Sequence, residues 1–122
     1  HEFLARLTQI DYARAVAFIA VDPETDEMLG VSRLASDPDY IRAEYAVIVR
    51  SDVKEQGIDR ILMRQLIDYA QSEGIQELWG QTLREDAGML DMCRELGFHV
   101  KPDPEDVSLV ILTLNLAQKQ AA

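Results

Sequence analysis

From Ala43 to Leu83 the sequence reads as strand, helix, strand, and that order constrains the fold more than any other feature of the chain. Ala43–Arg50 is a largely apolar run with Val47, Ile48 and Val49 at its centre, the β-branched composition of a strand. A polar connection, Ser51–Asp59, leads into a segment whose Ile61, Leu62, Leu66, Ile67 and Ala70 recur at helical spacing and are expected to face inward. Gly74 stands where a C-terminal cap belongs. Gln76–Leu83 is the next strand. Met89, Leu90, Cys93 and Leu96 then form the apolar stripe of a short helix stopped by Gly97, and Phe98–Lys101 and Val107–Leu116 read as two last strands around Pro102–Asp106.

Upstream, Phe3, Leu4, Leu7 and Ile10 recur at helical spacing and predict an opening amphipathic helix. Val16–Val21 reads as a buried strand, Asp22–Glu27 as a polar turn and Met28–Ala35 as the returning strand of a hairpin, which Ser36–Asp39 breaks. Successive antiparallel strands followed by a β-α-β-α-β stretch imply an α/β fold with a mixed sheet and helices on it. With 122 residues the chain is expected to be a single domain, 1–122; Ala117–Ala122 resembles a fraying tail. It opens on His1 rather than Met, so the C-terminal part of a longer protein is expected.

The net charge of −10 argues against nucleic acid, whose phosphates call for Lys and Arg clusters. An acidic surface suits a cationic partner such as a lysine-bearing protein, although maintaining solubility is the simpler reading of it. The one cysteine, Cys93, excludes an internal disulfide and fits a reducing, cytoplasmic compartment. No apolar run reaches the roughly 18–20 residues of a membrane span. Two histidines and one cysteine, far apart, give no metal-ligand spacing, and no histidine is placed to activate Cys93 as a nucleophile. Cys93, Trp79 and Phe98 are read as core, and His99 as a strand residue.

Chemistry concentrates where the third strand passes through Ser51–Asp59 into the Arg60 helix. The first amides of a helix lack internal partners and, with the helix dipole, favour an anion; Gly57 lets the backbone approach one closely. An ordinary strand-to-helix turn has the same look. The runs Ala43–Arg50 and Lys54–Met63 resemble motif A of the GNAT acetyltransferases, and Met89–Phe98, ending in Leu96-Gly97-Phe98, resembles their motif B. More narrowly, Leu7–Tyr12 and Leu112–Leu116 resemble the C-terminal acetyltransferase part of bacterial multidomain protein lysine acetyltransferases. The resemblance covers nearly the whole chain and implies a GNAT fold, a mixed and mostly antiparallel sheet flanked by helices, with the family's first strand and helix lying upstream. It implies transfer of an acetyl group from acetyl-CoA to an amine, here a protein lysine, with an acyl-CoA synthetase as a candidate partner and neither nucleic acid nor membrane involved.

That resemblance also assigns roles. A lysine amine, with a pKa of about 10.4, must shed a proton before attack, and Glu44 stands where similar proteins place a glutamate base, although a solvated strand-end carboxylate is the simpler reading of Glu44 alone. Backbone amides of Val47, Ile48 and Val49, at a bulge usual in the family, would polarise the thioester carbonyl. Lys54, Gln56, Gly57, Ile58, Asp59 and Arg60 would form the phosphate loop, with Asp86 contacting the cofactor. Three positions depart from the pattern. Asp59 replaces a Gly or Ala, and a carboxylate about 4 Å from a phosphate would cost up to a few kcal/mol, unless Lys54 and Arg60 offset it or Asp59 caps its own helix. Asp86 replaces an Asn and suits a helix cap, and Cys93 replaces a tyrosine general acid. The two aspartates favour a second reading, a degenerate GNAT-like domain that senses acyl-CoA or regulates an attached enzyme without turnover. A plain interaction domain with this fold is a third.

Overall fold

The computed structural model describes residues 6–12, 15–39 and 41–116. Seven strands form one sheet in the order β1-β2-β3-β4-β5-β7-β6: β1 (Arg6–Tyr12), β2 (Ala15–Val21), β3 (Met28–Ser36), β4 (Arg42–Val49), β5 (Glu77–Leu83), β6 (His99–Pro102) and β7 (Leu109–Asn115). Every neighbouring pair is antiparallel except β4–β5. Helix α1 (Ile58–Ser72) connects those two parallel strands, as a crossover must, and α2 (Ala87–Glu95) follows β5. A short 3₁₀ turn, Ser51–Gln56, fills the polar connection before α1.

The α/β mixed sheet is as expected, but the opening segment is a strand, not a helix. Residues Arg6–Tyr12 pair in continuous register with Val21–Ala15, and Phe3 and Leu4 lie outside the described residues. The helical spacing of Leu7 and Ile10 is too short a signal to decide. Backbone pairing along the free edge of β2 outweighs it. The β2–β3 hairpin closes through Asp22–Glu27 as expected, with Asp26 in the left-handed region at φ 61°.

Alternation along the strands sends one face inward. Val16, Phe18 and Ala20 of β2, Ser32 and Leu34 of β3, Ala43, Tyr45 and Val49 of β4, and Leu112 and Leu114 of β7 are buried. α1 covers β2, β3 and β4 with Ile58, Leu62, Met63, Leu66, Ile67 and Ala70, and the Phe18 and Tyr69 rings meet edge-to-face with centroids 5.8 Å apart. Fully burying such side chains is worth about 1.5–3 kcal/mol each. Ile61, expected inside, is 44% exposed. It sits five residues before Leu66, about 140° around the helix from it, and Ile58 and Met63 take the inward positions instead. α1 ends as the sequence predicts: Gly74, at φ 78°, donates to the Gln71 carbonyl and Ile75 to that of Ala70, a Schellman closure. α2 lies on the same side of the sheet, tied to α1 by an Arg60–Glu95 ion pair. Among the described residues no helix covers the opposite face.

Candidate functional site: a forked sheet

β4 and β5 pair over three positions only, Arg42↔Glu77, Ala43↔Leu78 and Glu44↔Trp79, and then diverge although both strands continue. Tyr45, the next residue of β4, accounts for the fork. Its ring lies over Gly80, so close that a Cβ at Gly80 would stand 2.4 Å from it. The Phe98 ring, edge-to-face with it at a centroid separation of 5.6 Å, backs it. Tyr45 is thus a wedge that only glycine at position 80 admits.

Beyond the wedge lies a cavity of about 480 Å³, lined by Val47, Ile48 and Val49 on one side and Thr82, Asp86, Gly88 and Met89 on the other, with Asp59 at the start of α1. The Arg50 amide donates to the Leu29 carbonyl of β3. Amides alternate along a strand, so those of Val49 and Val47 point the other way, into the fork, where β5 no longer receives them. No bulge is needed for this: the β3–β4 register runs unbroken from Gly30↔Val49 to Ser36↔Ala43, contrary to the bulge expected at Val47–Val49. Divergence of the neighbouring strand frees the donors instead.

The start of α1 carries Gly57 at φ 78°, with nothing near the position a Cβ would take. Glycine is required there by the backbone turn, not by close packing. No side chain caps this helix from Gly57. Asp59, half-buried, accepts from the neighbouring Arg60 amide at 2.8 Å, occupying one of the helix-start donors. Asp86 caps α2, accepting from the Met89 amide at 3.1 Å, as its position suggests. Both carboxylates still line the cavity. Arg60 does not offset them, because its guanidinium pairs with Glu95, and the Lys54 side chain lies outside the described residues.

Other expected residues stand apart from the cavity. Ile58 is a core residue at 3% exposure, and Gln56 and Gly57 are exposed. Thr82, Gly88 and Met89 also line it; the sequence marks Met89 only as helix stripe and marks the other two not at all, because no local pattern reveals a strand that leaves its partner. Glu44 lies on the opposite, open face, exposed, because its neighbours Ala43 and Tyr45 turn inward. It borders a separate depression of about 180 Å³ with Arg33, Ala35, Tyr45 and Ala46. Glu44 sits at the last paired position before the fork, three residues and so about 10 Å of strand from Val47. Trp79 is not a core residue. It is half-buried beside Glu44 on the open face, with the Arg42 guanidinium 5.4 Å above its ring. His99 is exposed.

Under the fork, Cys93 has no exposed surface, and its sulfur lies 3.9 Å from both the Tyr45 hydroxyl and the Met89 sulfur. Burial pushes the thiol up to about 11, opposed by the Tyr45 hydrogen bond and reinforced by the charges of Asp59 and Asp86. Burial first, and then Cys93, hold the Tyr45 phenol far above its ordinary range. Neither group ionises near neutral pH, so Cys93 is the inert core residue that the sequence suggests.

Comparison with known proteins agrees with this architecture. Residues 1–98 match the model of the acetyltransferase (GNAT) family. An acetyltransferase of Pseudomonas aeruginosa is 36% identical over 115 residues, 93% of this chain, which spans 62% of that relative's length. Among solved structures, the ribosomal-protein-S18-alanine N-acetyltransferase from Escherichia coli superposes with a TM-score of 0.72 at 21% identity, covering 87% of this chain and 72% of that one. The GNAT domain of S. lividans PAT gives 0.72 at 20% identity, over 88% of this chain and 64% of that one. These two likenesses bear on the fold and the family model on the sequence. The family model leads to one conclusion: the chain belongs to the GNAT acetyltransferase family.

Proposed function

We propose that this domain transfers an acetyl group from acetyl-CoA to a protein lysine, with Glu44 as the base. The observation that carries this reading is the fork itself, a cavity into which the Val47 and Val49 amides turn without a strand partner. Bound there, acetyl-CoA supplies an activated acyl group on a thiolate leaving group. The two amides donate to the thioester oxygen as charge gathers on it. The acceptor approaches from the open face, and Glu44 takes its proton, directly or through water, freeing the nitrogen lone pair to form the new C–N bond while the C–S bond breaks. A thiol with a pKa of about 8.5 leaves without much protonation, so a cysteine in place of a tyrosine at position 93 is no obstacle.

The cavity fits a thioester, but its charges are less accommodating at the diphosphate. Gly57 and the first α1 amides suit an anion, whereas Asp59 and Asp86 oppose one. Those two aspartates favour the second reading, a domain that senses acyl-CoA without turnover. Likeness of fold to the S. lividans domain, with the Leu7–Tyr12 and Leu112–Leu116 segments, supports a place as the C-terminal, single-domain acetyltransferase part of a longer protein lysine acetyltransferase. Such a protein would work in the cytoplasm, and an acyl-CoA synthetase is a suitable substrate. No helix among the described residues is long and apolar enough to cross a membrane.

The test is calorimetry with acetyl-CoA followed by mass spectrometry of acetylated protein substrates. Glu44→Gln is expected to lower kcat about 100-fold near neutral pH with little change in acetyl-CoA affinity. Full turnover by this variant would assign the proton transfer elsewhere. Binding with no turnover in the unaltered protein would favour the sensing domain.

A further inference from the structure

Among the described residues Glu44 has two cationic neighbours on the open face: Arg42 on its own strand, which Glu77 engages, and Arg33 across on β3. The β3–β4 register sets Ala35 opposite Glu44 and Arg33 opposite Ala46, so Arg33 and Glu44 occupy the diagonal corners of a four-residue patch whose other corners are alanines. Diagonal positions of this kind lie about 7–8 Å apart, within reach of long side chains. Arg42, Arg50, Arg60 and Arg94 each pair with a carboxylate. Arg33 does not: among the described residues neither it nor Glu44 makes an ion pair, with each other or with anything else, and the depression of about 180 Å³ opens beside both. Two opposite charges, each unneutralised and held by rigid strands across a small depression, are complementary to a ligand carrying both charges in reverse.

We infer that the acceptor of this domain carries a carboxylate close to its reactive amine, and that Arg33 selects it. The inference rests on the reading of Glu44 as base. The amine lies against Glu44 and the carboxylate against Arg33, whose planar guanidinium donates two parallel hydrogen bonds to a carboxylate. A domain of net charge −10 repels anions in general, so Arg33 supplies the local attraction that such an acceptor needs. An acidic residue flanking an acceptor lysine and the α-carboxylate of a free amino acid offer the same chemistry.

Paired acceptors separate the possibilities: lysine peptides with Asp or Asn beside the lysine, and a free amino acid or its amide, assayed with acetyl-CoA and the full chain. The carboxylate member of a pair is expected to exceed its carboxamide twin about ten- to 100-fold in kcat/KM, mainly through KM. In Arg33→Gln that ratio is expected to fall to one, and Arg33→Lys to restore part of it. The pair that shows the preference identifies the source of the carboxylate. Twins used equally well by the unaltered protein, or a preference that survives in Arg33→Gln, would overturn the inference. Acceptor binding by calorimetry reads the same ratio for a protein that does not turn over. If Glu44→Gln abolishes turnover while the twins are equivalent, the base reading stands and only the role of Arg33 falls. If Glu44→Gln is fully active, the base reading falls first.

Discussion

Cys93 and Tyr45 are chemically capable groups that burial has silenced, and that carries a consequence for stability. The Cys93 thiol moves from 9.0 to about 11 on folding. Between those values the unfolded chain has released the proton and the folded chain has kept it, so stability contributed by the buried neutral thiol is intact below about pH 9 and is lost as pH rises toward 11. At about 1.4 kcal/mol per unit the loss approaches 2–3 kcal/mol, and the raised Tyr45 phenol acts in the same direction. Urea melts are expected to show a falling midpoint over that interval, with Cys93→Ser blunting the fall. Iodoacetamide at pH 8 is expected to leave native Cys93 unmodified and to label it once the chain is unfolded; prompt labelling of native protein would contradict its burial.

At the scale of elements, the fork depends on a wedge and a matching hole. Gly80→Ala brings a methyl into the Tyr45 ring, and since Phe98 backs that ring, relief requires strand or side chain to shift. Overpacking of this kind costs about 1–3 kcal/mol. The variant is expected to melt earlier and to bind acetyl-CoA more weakly, because the cavity begins where the wedge ends. A variant destabilised but unchanged in affinity would separate the wedge from the cavity. Legibility differed by element. α1 was readable because it repeats one period over 15 residues, and β4 because its apolar, β-branched run marks a strand. β1 was not, because its partner along β2, and not its own spacing, settled its backbone.

Across the whole molecule, the charge of −10 has a local counterpart at the cavity, where Asp59 and Asp86 face the space a diphosphate would enter and Arg60 is engaged by Glu95. Asp59→Asn keeps an oxygen for the Arg60 amide while removing the charge. It is expected to tighten acetyl-CoA binding about tenfold, equivalent to about 1.4 kcal/mol. The unaltered protein is expected to bind more tightly as salt screens its own carboxylates, and Asp59→Asn to lose part of that dependence. Affinity in Asp59→Asn unchanged or weaker by calorimetry would show that Asp59 does not oppose the cofactor.

The amino-acid order alone determined the strand–helix–strand core, the Gly74 closure of α1 and the capping role of Asp86, because each is dictated within a few neighbouring residues by period, backbone freedom or an oxygen near a helix start. Only the tertiary structure decided which of the Val47–Val49 amides are free, that Thr82, Gly88 and Met89 share a cavity with them, that Arg60 is engaged by Glu95, and that Arg33 stands diagonal to Glu44. Those facts depend on strand register and on the wedge at Gly80, which join residues far apart in the chain and leave no mark on either segment alone.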